Sequence, residues 1–266
     1  MSYTIYFVDA FTQQLFAGNT AAVLITEQWL DDRLMQNIAA ENNLSETAFI
    51  VPNDDDNFAI RWFSPLCEID FCGHASLAAA SVIFEEYGKQ HIVLTTNTVG
   101  TLSIQKEPSG RICMTFPRRE ALKPNTIPDD LLHALNVQPE HILKSPQAWF
   151  AIYQNEAQIK ACKPDLDKLK KLAPLDLVVT APASSSDKYD FVSRYFWPAN
   201  GGDEDPVTGS IHAGLAPYWA SRLNKTSLTA HQVSTRGGVL YCDVTESDVV
   251  VSGYTKRYLI GQINIV

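Results

Sequence analysis

The chain has 266 residues, 45% of them hydrophobic and 19% charged, which supplies a real core and excludes a disordered chain. Its 30 acidic and 21 basic residues leave a net charge of −9, which argues against a nucleic-acid partner. No apolar run approaches the roughly 18 residues that span a bilayer, so no membrane partner is expected.

From the N-terminus, Tyr3 to Ala10 is β-branched and aromatic and reads as a first strand, not a signal peptide. Gly18-Asn19 reads as a turn, followed by a second extended run from Ala21 to Ile25. Trp29 to Asn42 is helical in pattern, with Leu30, Leu34 and Ile38 on one apolar stripe. Thr47 to Val51 and Phe58 to Phe63 read as strands around an Asp54-Asp55-Asp56 turn. Gly73 to Phe84 is small or apolar on nearly every side, so a helix there must be wrapped by other structure. Three strands follow, Ile92 to Thr96, Gly100 to Gln105 and Arg111 to Phe116, and then a linker marked by Pro117, Pro124 and Pro128. The cysteines are Cys67, Cys72, Cys113, Cys162 and Cys242, an odd number that points to free thiols in a reducing cytoplasm. Cys67, Cys72 and His74 lie close together, but no fourth ligand follows at zinc spacing, so no metal is expected.

The second half repeats the first. Phe191-Val-Ser-Arg194-Tyr195-Phe196-Trp-Pro198 lies 133 residues after Phe58-Ala-Ile-Arg61-Trp62-Phe63-Ser-Pro65. Carried forward without a gap, Asp70 meets Asp203, Cys72 meets Asp205, and the first buried helix meets a second from about Thr208 to Arg222. Leu34 to Ala39 resembles Leu169 to Ala173, and Gly100-Thr-Leu resembles Gly238-Val-Leu. Two copies of one mixed unit account for these matches in order.

Each copy places a short loop before its buried helix, Asp70 to His74 in the first and Gly201 to Ser210 in the second. Helix starts offer unpaired N–H groups and positive dipole ends, a setting for carboxylates or an enolate oxygen, here in a cleft between the lobes. Gly73 and Gly209 would let a ligand approach the backbone. Glu46 lies between a helix and a strand entering the core; it is either a partly desolvated acid with a raised pKa or an exposed strand-end glutamate. His74 is a donor beside a helix start or a satisfied core histidine. Asp205 holds His74 or substrate, or simply caps a helix. Cys72 is a thiolate base favoured by the helix start, or a buried inert thiol. There is no G-x-S-x-G elbow, phosphate loop or dinucleotide fingerprint, which leaves acid–base chemistry without a cofactor.

Val8-Asp-Ala-Phe-Thr, Phe16-Ala-Gly18-Asn19-Thr-Ala-Ala-Val23, Asn43-Leu-Ser-Glu46-Thr-Ala-Phe49, Arg61-Trp-Phe-Ser-Pro65, Phe71-Cys-Gly-His74 and Glu204-Asp-Pro-Val-Thr-Gly-Ser210 occur in order over most of the chain. With them the chain resembles the phenazine-biosynthesis PhzF-like isomerases, which share the diaminopimelate epimerase fold. The resemblance implies an α+β fold of two pseudo-symmetric lobes, each a curved, mainly antiparallel sheet or barrel around a central buried helix. The expected lobes are residues 1–117 and 125–257, with a C-terminal strand from about 258 to 266 returning to the first. The resemblance also implies a cytoplasmic homodimer without cofactor or metal, acting in a biosynthetic process.

By the same resemblance Glu46 is the catalytic acid/base, His74 and Asp205 support it, and Ser210 contacts substrate; Ser45, Gly73 and Gly209 complete the candidate substrate-binding residues. Related epimerases use two cysteines, one before each central helix. Here the first place holds Cys72 and the second Asp205, which argues against a symmetric two-thiol racemase. The leading expectation is an isomerase that moves a proton between carbons of a small carboxylate-bearing metabolite. The alternatives are an epimerase or racemase using Cys72 as one base, and a non-catalytic small-molecule-binding homologue. Fold likeness does not name a substrate.

Overall fold

The structure is a computed structural model that describes residues 2–54, 56–184, 188–200 and 202–265. Asp55 of the expected acidic turn, Gly201 of the second helix-start loop and Val266 of the expected returning strand lie outside the described residues. The chain divides into two compact units, one formed by residues 1–115 with 252–266 and the other by residues 116–251.

The first unit runs β1 (Ser2–Ala10), β2 (Asn19–Ile25), α1 (Asp32–Asn42), β3 (Glu46–Asp54), β4 (Asn57–Phe63), β5 (Glu68–Ile69), α2 (Gly73–Tyr87), β6 (His91–Thr95), β7 (Thr101–Lys106) and β8 (Ile112–Pro117). The second runs α3 (Asp129–Ala134), β9 (His141–Lys144), β10 (Ala148–Ile152), α4 (Glu156–Ala161), α5 (Leu166–Lys170), β11 (Asp176–Pro182), β12 (Phe191–Trp197), β13 (Gly202–Asp205), α6 (His212–Leu223), β14 (Ser227–Gln232), β15 (Gly238–Val244) and β16 (Asp248–Gly253). β17 (Thr255–Asn264) then pairs antiparallel with β1, from Thr255 opposite Ala10 to Asn264 opposite Ser2.

The unit boundaries differ from the expected lobes at both joints. Residues 252–257 group with the first unit, because the pairing with β1 already begins at Thr255. The proline-rich stretch is not a free linker. Within the second unit the Arg118 and Arg119 amides donate to the Ser247 and Ala213 carbonyls, and Leu122 bridges Lys144.

α1 begins three residues later than its sequence pattern suggests, because the Asp31 carboxylate accepts from the Arg33 and Leu34 amides and starts the helix there. Its buried face is Met35, Ile38 and Ala39, packed against Ile5, Ala22, Leu24, Phe49 and Phe63, with Leu30 and Leu34 at the edge. α2 is buried continuously from Gly73 to Phe84, and its Ala and Ser side chains permit close approach of β1, β2 and β3. It stops at Gly88, whose φ of 65° suits glycine. Among the described residues no helix is long and apolar enough to cross a membrane.

The two units repeat one topology. In the first, β1–β2 is antiparallel, β2–β3 parallel, β3–β4 and β4–β5 antiparallel, β4–β6 parallel and β6–β7 antiparallel. The same series of orientations runs from β9 to β15 in the second. Their registers correct the ungapped alignment. Tyr195 stands opposite Asp205 as Trp62 stands opposite Ile69, so Asp205 is the counterpart of Ile69, not of Cys72. Three residues on, Thr208 takes the place of Cys72, Gly209 that of Gly73 and Ser210 that of His74. The offset is 136 beyond this point, because the β4–β5 turn is three residues shorter than the β12–β13 turn.

Candidate active site

Three loops of the first unit converge on one buried polar cluster. α1 ends at Asn43 in the left-handed region, with φ of 49°, and the chain turns so that Glu46 opens β3 beside Ala21 of β2. Asn19 opens β2 opposite Ala10. Gly18, just before it, has φ of 72°, and a Cβ there would fall 2.2 Å from the Ala10 carbonyl oxygen, so glycine sets the entry to the strand. Cys72 is the N-cap of α2, and its carbonyl accepts from both the amide and the hydroxyl of Ser76, at 3.1 and 2.6 Å.

His74 is the centre. Its Nε2 lies 2.9 Å from Glu46 Oε2, and its Nδ1 lies 3.1 Å from Asn19 Nδ2 and 3.4 Å from Cys72 Sγ. Ser45 Oγ donates to Asn19 Oδ1 at 3.3 Å. Glu46 and His74 are each 4% exposed, which removes the exposed strand-end reading of Glu46. Their contact is close, but the ring N–H is not aligned on Oε2 as a hydrogen bond requires. Gly73 is the first residue of α2.

Burial, and then the charge of Glu46, push the Cys72 thiol up to about 11, outweighing the helping effect of His74. At neutral pH it is therefore a thiol, so the helix start does not make it a ready base. For His74, burial opposes protonation and the charge of Glu46 favours it; a charge on Cys72 would favour it further but is absent while that thiol is neutral. Donor atoms of Glu46, Cys72 and His74 lie within 4.8 Å of one another, the residue types of a metal site; both ring nitrogens already face neighbouring side chains.

The second unit places Asp205, Gly209 and Ser210 around the start of α6. Asp205 is 8% exposed and its Oδ2 accepts from Thr208 Oγ1 at 2.5 Å. Gln232 clamps this loop, donating to the Asp205 carbonyl at 2.7 Å and accepting from the Thr208 amide at 2.9 Å. α6 begins four residues later than the sequence pattern suggests. The amides of His212 and Ala213 donate to the carbonyls of Gly209 and Ser210, forming a tight turn, and the N-cap is Ile211 rather than Asp205.

Ser210 ends a chain of hydrogen bonds that sequence reasoning missed. Gln147 Nε2 donates to Ser210 Oγ at 2.9 Å and to Tyr195 Oη at 3.2 Å. Tyr195 donates to Asp176 Oδ2 at 2.7 Å, and Asn200 donates to Oδ1 at 2.8 Å. Burial raises the Asp176 carboxyl, with the Tyr195 and Asn200 bonds pulling the other way. Burial and the Asp176 charge hold Tyr195 far above the usual phenol range, so it stays a donor. Asp176 stands opposite Ala148 in the parallel β10–β11 pair as Glu46 stands opposite Ala21 in β2–β3, so the two acids are counterparts. The repeated Phe-x-x-Arg segment was the signal that could have found Asp176, had its register been carried across the sheet. Asn19 had no signal beyond its place in a turn-like Gly-Asn pair inside one of the family motifs.

A family model described as phenazine biosynthesis-like protein matches residues 8–261. The chain is 44% identical over 266 residues to an uncharacterized isomerase of Pseudomonas aeruginosa, covering 100% of both. A crystal structure of a PhzF-family phenazine biosynthesis protein from Enterococcus faecalis superposes with a TM-score of 0.92 at 41% identity, again over 100% of both chains. A hydroxyproline epimerase from Agrobacterium vitis shares the fold alone, with a TM-score of 0.61 and 12% identity over 98% of this chain and 92% of that one.

Proposed function

The chain belongs to the phenazine biosynthesis-like protein family, and from that membership we propose a cofactor-independent isomerase that moves a proton between carbons of a small carboxylate-bearing metabolite, with Glu46 as the acid/base. One observation supports this reading above the others: a carboxylate and an imidazole, both buried, stand 2.9 Å apart at the foot of a buried helix. Glu46 takes a proton from a carbon next to a conjugating group and returns it to another carbon of the same molecule. His74 orients the carboxylate. The first amides of α2, near Gly73, meet the anionic form of the substrate, since they have no intrahelical acceptor. Ser45, which donates to Asn19 in the same cluster, is assigned to substrate binding; Asp205, Gly209 and Ser210 remain candidates by the family resemblance.

Glu46→Gln tests the assignment. It keeps the side-chain shape and removes the exchangeable acid, so turnover should fall by roughly 10²–10⁴-fold with the fold retained. A screen of carboxylates by thermal shift finds a ligand, and NMR of deuterium incorporation from D₂O reads the chemistry. Deuterium uptake in Glu46→Gln at the unmodified rate would sink the reading. Loss of uptake on Cys72→Ser with Glu46→Gln tolerated would point instead to a thiol base and an epimerase.

A further inference from the structure

We propose that Asn19, seconded by Cys72, is a positioning residue that keeps Nδ1 of His74 unprotonated and so confines the ring to the neutral tautomer whose N–H faces Glu46. Asn19 is 1% exposed and is fixed by the β1–β2 ladder, and its side-chain amide nitrogen lies 3.1 Å from Nδ1. Its carbonyl oxygen is turned the other way, accepting from Ser45 Oγ at 3.3 Å. An amide NH₂ only donates. Cys72 Sγ lies 3.4 Å from the same nitrogen. As a neutral thiol it too is a donor. Two donors thus converge on one ring lone pair.

A neutral imidazole carries one proton, and with Nδ1 engaged as an acceptor that proton sits on Nε2, 2.9 Å from Glu46 Oε2. A second ring proton would have to enter at Nδ1 against an amide N–H, leaving buried donors facing one another. The titratable groups touching the ring, among the described residues, are Glu46 and Cys72. The charge of Glu46 favours an imidazolium; the Asn19 amide is the group that opposes it.

The consequence for catalysis rests on the reading of Glu46 above. If the ring cannot accept the proton that Glu46 removes from substrate, that proton stays on Glu46 and is returned by it. His74 is then a fixed neighbour whose N–H side faces the carboxylate, not a relay. The same logic operates wherever the partner of one imidazole nitrogen dictates the tautomer at the other.

The test uses the unliganded 266-residue chain labelled with ¹⁵N-histidine and observed by NMR near neutral pH, with the His74 signals assigned by their loss in His74→Gln. The expected spectrum has one pyridine-like nitrogen, Nδ1, and one pyrrole-like nitrogen, Nε2. Asn19→Asp, which sets a carboxylate at Nδ1, should convert both to pyrrole-like nitrogens. Cys72→Ser, which keeps a donor, should leave the pattern unchanged. Two pyrrole-like nitrogens in the unmodified protein would mean that the Asn19 amide is turned over and its oxygen accepts from Nδ1, and the proposal fails. An Asn19→Asp spectrum identical to the parent overturns it as well. Because the unmodified protein decides the matter without turnover, its outcome is separate from that of Glu46→Gln: either claim can fall while the other stands.

Discussion

His212 in the first turn of α6 is fully buried, and its Nδ1 lies 2.9 Å from the Thr208 carbonyl. A carbonyl only accepts, so Nδ1 carries the proton, and Nε2 is left as a bare lone pair without a hydrogen-bond partner near the Phe191 ring. Burial lowers this histidine to about 4, with the Thr208 carbonyl working weakly the other way. Because the folded value lies below the unfolded one, the stability it contributes is present above pH 6.5 and is lost as pH falls toward 4. The shift corresponds to about 3 kcal/mol. Urea unfolding across that window should show His212→Gln losing about 3 kcal/mol less than the parent; parallel curves would show that another group carries the acid sensitivity. His74 is equally buried, but the charge of Glu46 beside it works against the effect of burial. The contrast is one of neighbours, a neutral carbonyl and an aromatic ring for His212 against a carboxylate and a thiol for His74.

At the scale of elements, the duplicated β-strand frame is held by a duplicated ion pair. Arg61 binds Glu68 through two bonds, at 2.7 and 2.6 Å, and Arg194 binds Glu204 in the same fork, at 2.7 and 2.8 Å. Each arginine sits on the fourth strand of its copy and each glutamate on the short fifth strand. The frame is common, but the acid at the start of the third strand has acquired different company: imidazole, amide and thiol around Glu46, phenol and amides around Asp176. The helices diverge too. α6 carries Gly214, where an added Cβ would fall 2.7 Å from the Arg119 carbonyl oxygen and 2.9 Å from Phe150 Cζ. Gly214→Ala would gain up to about 1 kcal/mol of helix propensity but must displace backbone or a core ring, at about 1–3 kcal/mol. The second effect wins, and a lower denaturant midpoint is the expected measurement; an unchanged or higher midpoint would mean that Arg119 can move aside freely.

At the scale of the whole molecule, the C-terminal strand returns to close the first unit beside β1, so that unit is assembled from both ends of the chain. The cluster around His74 combines an acid, an imidazole, amide and hydroxyl groups and a thiol, and on the proposed reading it moves a proton with side chains alone. We therefore expect exhaustive treatment with a chelator to leave both folding and turnover unchanged. Circular dichroism together with deuterium exchange into substrate would check this, and activity lost to the chelator and restored by a metal ion would refute it.

The sequence alone determined the duplication and the two buried helices, through a repeated Phe-x-x-Arg segment and apolar helices without a polar face; Glu46, His74 and Asp205 stand out from the loops that hold them, and Ser210 from the family resemblance. The tertiary structure decided the rest. Asn19 reads as half of a turn until the β1–β2 ladder sets its amide against His74. Asp205 reads as the partner of Cys72 until the β12–β13 register moves that place to Thr208. Glu46 and Asp176 become counterparts only when each is seen beside its parallel neighbour. The reason is physical. Helix and strand patterns arise from neighbours a few residues apart, whereas register, burial and the protonation of a ring depend on groups that only folding brings together.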